Sequence, residues 1–232
     1  MLTPLETEAI RLSLLISCWA IVGGLPVAVV LAWLLARRRF FGRSLLDGVV
    51  HLPLVLPPVV VGYVLLVLLG RNGVIGAWLH DALGITIAFT WQGAALASAV
   101  MALPLMVRAI RLSIESVDRG LEDAAATLGA SRLGVLFTIT LPLAAPGVLA
   151  GTVLGFARSL GEFGATITFV SSIPGQTRTL PIAIYGLTQV PGGEAAAARL
   201  CVISVILALA ALIASELLAR RLDRRLSGRN LA

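Results

Sequence analysis

The chain of 232 residues contains no lysine; all eighteen of its basic residues are arginine. That absence removes two chemistries. A P-loop needs a lysine to reach nucleotide phosphates, and a Schiff base needs a lysine amine. If ATP drives this protein, another chain hydrolyses it, so it is not expected to be an enzyme, and no cofactor is expected in it. Charge of either sign is also scarce: 13 % of residues are charged, against about 25 % in soluble domains. Cysteine is nearly absent. Cys18 and Cys201 both lie inside apolar runs and read as small hydrophobes in the membrane. The two histidines, His51 and His80, stand apart, so no Cys/His cluster has metal-ligand spacing and no metal site is expected. His51 starts an apolar segment and reads as interfacial. No short-period repeat, low-complexity tail or soluble domain is visible.

What is abundant is apolar surface. The chain is 58 % hydrophobic, with a mean hydropathy of +0.98. That places it among integral membrane proteins. Lipid offers no partner for backbone polar groups, so long apolar runs must be helices and the fold class is all-α. A single transmembrane domain is expected over residues 1–232. Its five spans fall at about 12–36, 49–69, 89–107, 142–170 and 195–218. The first is 25 residues without a charge, longer than the roughly 30 Å hydrocarbon core requires. It is followed, not preceded, by its arginine cluster, which argues against a signal peptide. Residues 71–88 read as an external loop with a short interfacial helix carrying Trp78. Residues 171–194 read as a polar loop rich in Pro and Gly. Within it, residues 176–179 read either as solvated or as a contact for a delivering protein. Pro57-Pro58 reads as a kink or as an irregularity at the membrane boundary.

Arginine distribution sets the orientation. Thirteen arginines fall on one side: Arg37, Arg38, Arg39, Arg43, four within residues 108–141, and five in the tail. Arg11, Arg71, Arg178 and Arg199 fall on the other. The positive-inside rule makes the first side cytoplasmic. The N-terminus is then outside, the C-terminus cytoplasmic, and the charged loop 108–141 cytoplasmic. The arginine tail reads as an orientation signal and snorkelling anchor. Five spans poorly enclose a hydrophilic path, which favours a two-fold dimer with the path at its interface. Membrane lipid is an expected partner; nucleic acid is not.

The cytoplasmic loop carries the strongest local signal. Leu121–Leu128 is helix-prone with Glu122 and Asp123 at its start, where the helix dipole favours negative charge. Ala124, Ala125 and Ala126 make a slim face. Gly129 permits a turn. Ser131 caps a second helix through Leu136 and Phe137 to Ile139, and Pro142 stands in the first turn of the next span. The spacing is Asp123-Ala124-Ala125, three residues, Gly129, nine residues, then Ile139-Thr140-Leu141-Pro142. It resembles the E-A-A, three, Gly, nine, I-x-L-P motif of binding-protein-dependent ABC importer permeases. Asp123 stands at the Glu position with Glu122 directly before it, so either carboxylate fits the family role.

The segments LLDGVVHLPLVLPPVVVGYVLL (45–66), ALPLMVRAIRL (102–112), FARSLGEFGATITFVSSIPGQTRTLP (156–181) and PGGEAAAARL (191–200) resemble the molybdate permease branch. Sulfate and tungstate permeases are close relatives. The resemblance implies a type I ABC importer permease in the inner membrane of a prokaryote. It implies a second copy of the chain as partner, an ABC ATP-binding subunit dimer holding ATP and Mg, and an extracytoplasmic oxyanion-binding protein. It also implies that the loop containing Glu122, Asp123, Ala124, Ala125, Gly129, Ile139, Leu141 and Pro142 couples to the ATPase.

Arg158 and Glu162 interrupt the fourth span four residues apart, on one helix face. A buried arginine costs roughly 2.5–3.5 kcal/mol on insertion scales. The pair reads either as self-neutralising or as a gate. Direct oxyanion coordination by Arg158 is disfavoured because Glu162 repels anions. Gly155, Gly161 and Gly164 suit close packing or a broken helix. A secondary transporter is the rival class, but five spans allow no even repeat and the lone pair makes a poor ion relay. A membrane-embedded enzyme would need a catalytic constellation, and none is visible.

Overall fold

The computed structural model describes residues 3–227, with side chains as far as residue 213 and that of Leu217. Every regular element among them is helical. In order these are α1 (Pro4–Arg37), α2 (Arg43–Val55), α3 (Pro58–Leu69), α4 (Val74–Leu83), α5 (Trp91–Ser116), α6 (Arg119–Thr127), α7 (Arg132–Val135), a π-helical turn (Leu136–Thr140), α8 (Leu141–Leu143), α9 (Ala145–Leu160), α10 (Gly164–Val170), α11 (Leu180–Thr188) and α12 (Glu194–Ser227). Among the described residues three helices, α1, α5 and α12 to Ile213, are long and apolar enough to cross a membrane. The count reaches five if each of two bent pairs is one span.

α1 starts on a capping box. Thr3 accepts from the Glu6 N–H, and Glu6 accepts from the Thr3 N–H at 2.7 Å; together they satisfy donors that the first turn leaves open. Its buried face includes a stripe of small residues, Ala20, Gly24, Ala28 and Ala32, beside the larger Leu12, Ile16 and Leu35. α9 carries a matching stripe, Gly147, Gly151 and Gly155. α5 runs between them. A Cβ on Gly147 would stand 2.1 Å from Ser113 Cβ, and one on Gly155 would stand 2.7 Å from Met106 Cγ. In lipid no hydrophobic force draws helices together, so backbone approach at small residues supplies the attraction. The outward faces remain apolar: Val202, Val205, Ile206 and Leu209 of α12 are all more than half exposed, as lipid contact requires.

Several expectations are corrected. The span expected at 49–69 is α2 and α3, bent by 115°. Leu56 ends α2, and Pro57 and Pro58 begin the next helix with no N–H to continue the ladder. The span expected at 142–170 is also divided. Arg132–Leu143 meets α9 at a 74° bend, so Pro146, not Pro142, holds the first-turn position of α9. That same stretch stops at Leu160, and α10 begins separately at Gly164. The expected polar loop 171–194 contains α11, whose Leu180, Ile182 and Ala183 are buried; the Pro and Gly flanks hid its apolar run. α5 continues past Arg108 and Arg111 to Ser116, so the first part of the expected loop is the end of that helix. The short helix expected within 71–88 is α4, with Trp78 62 % exposed.

The two kinds of glycine should respond oppositely to one methyl group. Gly147→Ala is expected to destabilise the fold by about 1–3 kcal/mol through overpacking. Gly48→Ala, in α2 with nothing within 4 Å of its Cβ position, is expected to stabilise by about 0.5–1 kcal/mol. Thermal unfolding of the purified protein in detergent compares them; shifts in the same direction would remove the glycine stripe from this account.

Candidate functional site

The segment after α5 is built as an exposed hairpin of short helices. Asp118 caps α6 by accepting from the Gly120 N–H at 2.8 Å. No residue of α6 is buried. At its other end the Ala130 N–H reaches Ala125 O at 3.1 Å and the Gly129 N–H reaches Ala126 O at 3.0 Å. These bonds form a Schellman cap. Gly129 adopts the left-handed φ of +89° that the cap demands. Ser131 then caps α7 by accepting from the Gly134 N–H at 3.1 Å. Leu128, Leu133 and Phe137 are 89 %, 63 % and 66 % exposed along this hairpin. Exposed apolar side chains grouped in one segment mark a contact surface.

Glu122 anchors the hairpin. Its carboxylate receives Arg37 Nε at 3.0 Å and the Thr140 hydroxyl at 2.6 Å. Arg37 also donates to Val117 O at 2.9 Å. One carboxylate thus joins the end of α1, the start of the hairpin and the Ile139-Thr140-Leu141-Pro142 stretch. Both side chains are largely shielded, 9 % exposed for Arg37 and 15 % for Glu122. Removing one member of such a pair strands the other, at a cost of about 3–5 kcal/mol. Asp123 is exposed and has no hydrogen bond or ion pair among the described residues. The structure therefore gives the two candidate carboxylates different positions: Glu122 inward, Asp123 outward. Ala124 is exposed and Ala125 half-buried; Ile139 and Leu141 are half-buried; Pro142 is exposed.

Two members of this junction escape sequence reading. Arg37 counts there only as an orientation charge. Thr140 occupies the unspecified position of I-x-L-P, so the motif gives it no weight. Thr140 also ends the π turn, in which the Leu141 N–H reaches back five residues to Leu136 O. π turns concentrate at functional sites.

A second polar group lies where α9 gives way to α10. Arg158 Nη1 stands 2.6 Å from Glu162 Oε2. The other Glu162 oxygen accepts from the Ala165 N–H at 2.7 Å. Glu162 is 2 % exposed, so it neutralises the arginine and satisfies the opening turn of α10 together. The two glycines beside it differ. A Cβ on Gly164 would stand 2.8 Å from Pro58 Cβ, whereas one on Gly161 would have 3.8 Å of room. Gly164 and Gly62 bring α10 against α3 at the Pro57-Pro58 bend; a Cβ on Gly62 would stand 2.5 Å from Ala165 O. A cavity of about 580 Å³ opens beside Gly161, Phe163 and Tyr185, toward α11 and α12.

The outer segment 171–179 is less open than a solvated loop. Thr177 is fully buried; it accepts from the Ile173 N–H at 2.9 Å and donates to Ser171 O at 2.9 Å. Glu8 accepts from the Gly175 N–H, and Ser13 accepts from the Leu180 N–H at 2.7 Å. Within 176–179 only Gln176 is exposed and Arg178 half-buried, while Ser171, Ser172, Pro174 and Gly175 before them are exposed. A network of Asp47, Arg111 and Glu115, with Arg111 3.0 Å from Asp47 and 2.9 Å from Glu115, joins α2 to α5. Arg111 and Glu115 are four apart on one helix, whereas Asp47 is 64 positions from Arg111 and carries no spacing signal. Among the described residues no three His, Cys, Asp or Glu side chains are grouped to hold a metal.

Residues 24–228 match the family described as binding-protein-dependent transport system inner membrane component. The chain belongs to that family. It is 62 % identical over 228 residues to the molybdenum transport system permease protein ModB of Escherichia coli K12, covering 98 % of this chain and 99 % of that protein. Identity to ModB of Haemophilus influenzae is 58 % over 98 % of this chain and the whole of the relative. The sulfate transport system permease protein CysT of Escherichia coli is 36 % identical over 97 % of this chain and 80 % of its own length. Among solved structures, a chain of a bacterial ABC transporter involved in importing the acidic polysaccharide alginate superposes with a TM-score of 0.74. Its identity is 20 %, over 95 % of this chain and 80 % of that one. A chain of the MetNI methionine ABC transporter in an inward-facing form gives 0.66 at 18 % identity, over 94 % of each. The resemblance read from residues 123–142 and 156–181 is borne out, and the fold is that of ABC importer permeases.

If Glu122 is the anchor, its loss and that of Asp123 should differ. Glu122→Ala is expected to cost about 3–5 kcal/mol and to make residues 117–131 far more sensitive to protease; Asp123→Ala should change neither by a measurable amount. Limited proteolysis of the membrane-reconstituted protein reads this, and equal sensitivity of the two variants would refute the assignment.

Proposed function

We propose that the chain is the permease subunit of an ATP-driven molybdate importer in a prokaryotic inner membrane. One observation carries the substrate: 62 % identity along nearly the whole chain to a molybdenum permease, against 36 % to a sulfate permease. Five spans cross the membrane, counting each bent pair as one, with the N-terminus outside and the C-terminus in the cytoplasm. Two copies line the path. An extracytoplasmic binding protein delivers the oxyanion, and ATP with Mg acts on two separate ATPase subunits below.

The exposed helix α6 is the coupling element. Its Leu121 and Leu128 sides are bare, and its base is fixed through Glu122 to α1 and to Thr140. A push on α6 from an ATPase subunit therefore reaches two places in the membrane part. Asp123, unpartnered and outward, meets the ATPase; Glu122 holds the lever's root. The Arg158–Glu162 pair serves the path by holding the α9–α10 break in shape. Its short internal bond makes it a poor direct ligand for a dianion.

Two experiments test this reading. Gly129→Leu forces a side chain into φ of +89°, at about 1–2 kcal/mol of local strain. It is expected to leave the protein inserted but to separate ATP hydrolysis from uptake of radiolabelled molybdate in vesicles; normal coupled uptake would remove α6 from the mechanism, and sulfate uptake outrunning molybdate in the unaltered protein would reassign the substrate. Reporter fusions at the two termini should appear on opposite faces of the membrane, with the C-terminal one cytoplasmic; finding both on one face rules out five spans.

A further inference from the structure

A charged cavity of about 320 Å³ lies between the end of α1 and the coupling hairpin. Arg37, Arg38, Arg119 and Arg132 line it, with Glu122 and Asp123. Glu122 neutralises Arg37. Arg38, Arg119 and Arg132 have no ion-pair partner among the described residues. Only the outward carboxylate of Asp123 is left to oppose three guanidinium groups, so the cavity attracts anions. The Arg38 guanidinium lies 5.2 Å from the centre of the Trp33 ring, a cation–π contact that holds it in place. Ala126 and Ala130 add small side chains to the wall.

The position of this cavity identifies its ligand. α1 is an apolar helix fit to span a membrane, and Trp33 lies in its last turns, the headgroup level that tryptophan favours. The chain then runs through Arg38, Arg39, Phe40 and Phe41 to Arg43. Phe41 is fully exposed at 106 % and Phe40 is 39 % exposed. Basic residues interleaved with exposed phenylalanine suit a segment resting in the lipid interface, its rings in the acyl boundary and its charges among headgroups. The cavity beside that segment therefore opens where phospholipid phosphates lie.

We propose that this cavity binds the phosphate of an anionic phospholipid of the cytoplasmic leaflet. Arg38, Arg119 and Arg132 grip the phosphate oxygens with their planar forks, and the glycerol lies against Trp33. Basic pockets between helices at the cytoplasmic surface take such headgroups. The bound lipid bridges α1 to α6 and α7 beside the Glu122 junction, so it stiffens the root of the coupling hairpin. The assignment rests on the orientation proposed above, but its test reads lipid binding and needs no transport.

The full-length chain, purified in detergent, is offered phosphatidylglycerol and phosphatidylcholine, and retained lipid is counted by native mass spectrometry. Phosphatidylglycerol is expected to be retained preferentially. Arg38→Gln, Arg119→Gln and Arg132→Gln should each weaken its retention about fivefold, while Arg71→Gln, on the opposite face, should leave it unchanged. Millimolar inorganic phosphate or molybdate should not displace it. Absence of any preference in the unaltered chain overturns the proposal without recourse to variants. So does equal loss with Arg71→Gln, or displacement by the free oxyanions, which would make the cavity a site for a soluble anion. Unchanged lipid retention with loss of a co-purifying ATPase subunit would assign the arginines to a protein contact and also overturn it. Reporters placing the hairpin outside would overturn the orientation and with it the cytoplasmic leaflet, whereas the lipid preference is read on its own by the mass spectra.

Discussion

The structure depends on backbones being able to touch. Lipid gives apolar helices no reason to associate, so their cohesion comes from dispersion at close range. α1 offers Ala20, Gly24, Ala28 and Ala32; α9 offers Gly147, Gly151 and Gly155; α5 lies between. Met106 of α5 is fully buried and meets both sides, 3.0 Å from where a Cβ on Gly24 would lie and 2.7 Å from one on Gly155. The small residues set the close approach, and buried Ile16, Leu35, Met106 and Ile110 fill the space beside them, while Val202, Val205 and Ile206 of α12 face outward.

That division leaves room for the helix breaks that a transporter needs. The α2–α3 bend at Pro57-Pro58 and the α9–α10 break at residues 161–163 are packed against one another through Gly164 on Pro58 and Gly62 on Ala165. Open backbone groups inside lipid are expensive. Glu162 meets part of that demand by accepting from Ala165 and pairing with Arg158. At the other end of α9 a related solution recurs. Glu122 takes Arg37 and Thr140 and fixes the hairpin to the helices above it. In both places one carboxylate joins segments that the backbone ladder leaves separate.

The parts legible in the sequence are those with a local cause. The spacing from Asp123 to Pro142, the turn at Gly129 and the cap at Ser131 are local grammar, and the structure has each of them. The i, i+4 relation of Arg158 and Glu162 is likewise local. The 115° and 74° bends are less legible, because proline marks where a helix can break and not how far it turns. α11 is hard to read because its nine residues, Leu180–Thr188, are too few for a span and include Pro181 and Gly186, which read as loop residues. The glycine stripe of α9 stands in the sequence as Gly-x3-Gly-x3-Gly from 147 to 155, a small-residue packing signal local to one helix. Arg37 and Thr140 could not be found this way at all, since their meeting at Glu122 joins residues 85 and 18 positions away.

The π turn at Leu136–Thr140 bears on how these parts can move. It holds one residue more than an α-helix would over the same rise. Tightening it to α geometry would advance the following chain by about 1.5 Å and rotate it by about 100°. The turn lies between the hinge-like cap at Gly129 and the bend before Ala145, and its last residue, Thr140, is held by Glu122. The segment thus keeps a small reserve of chain length beside the membrane, and a single hydroxyl latches it.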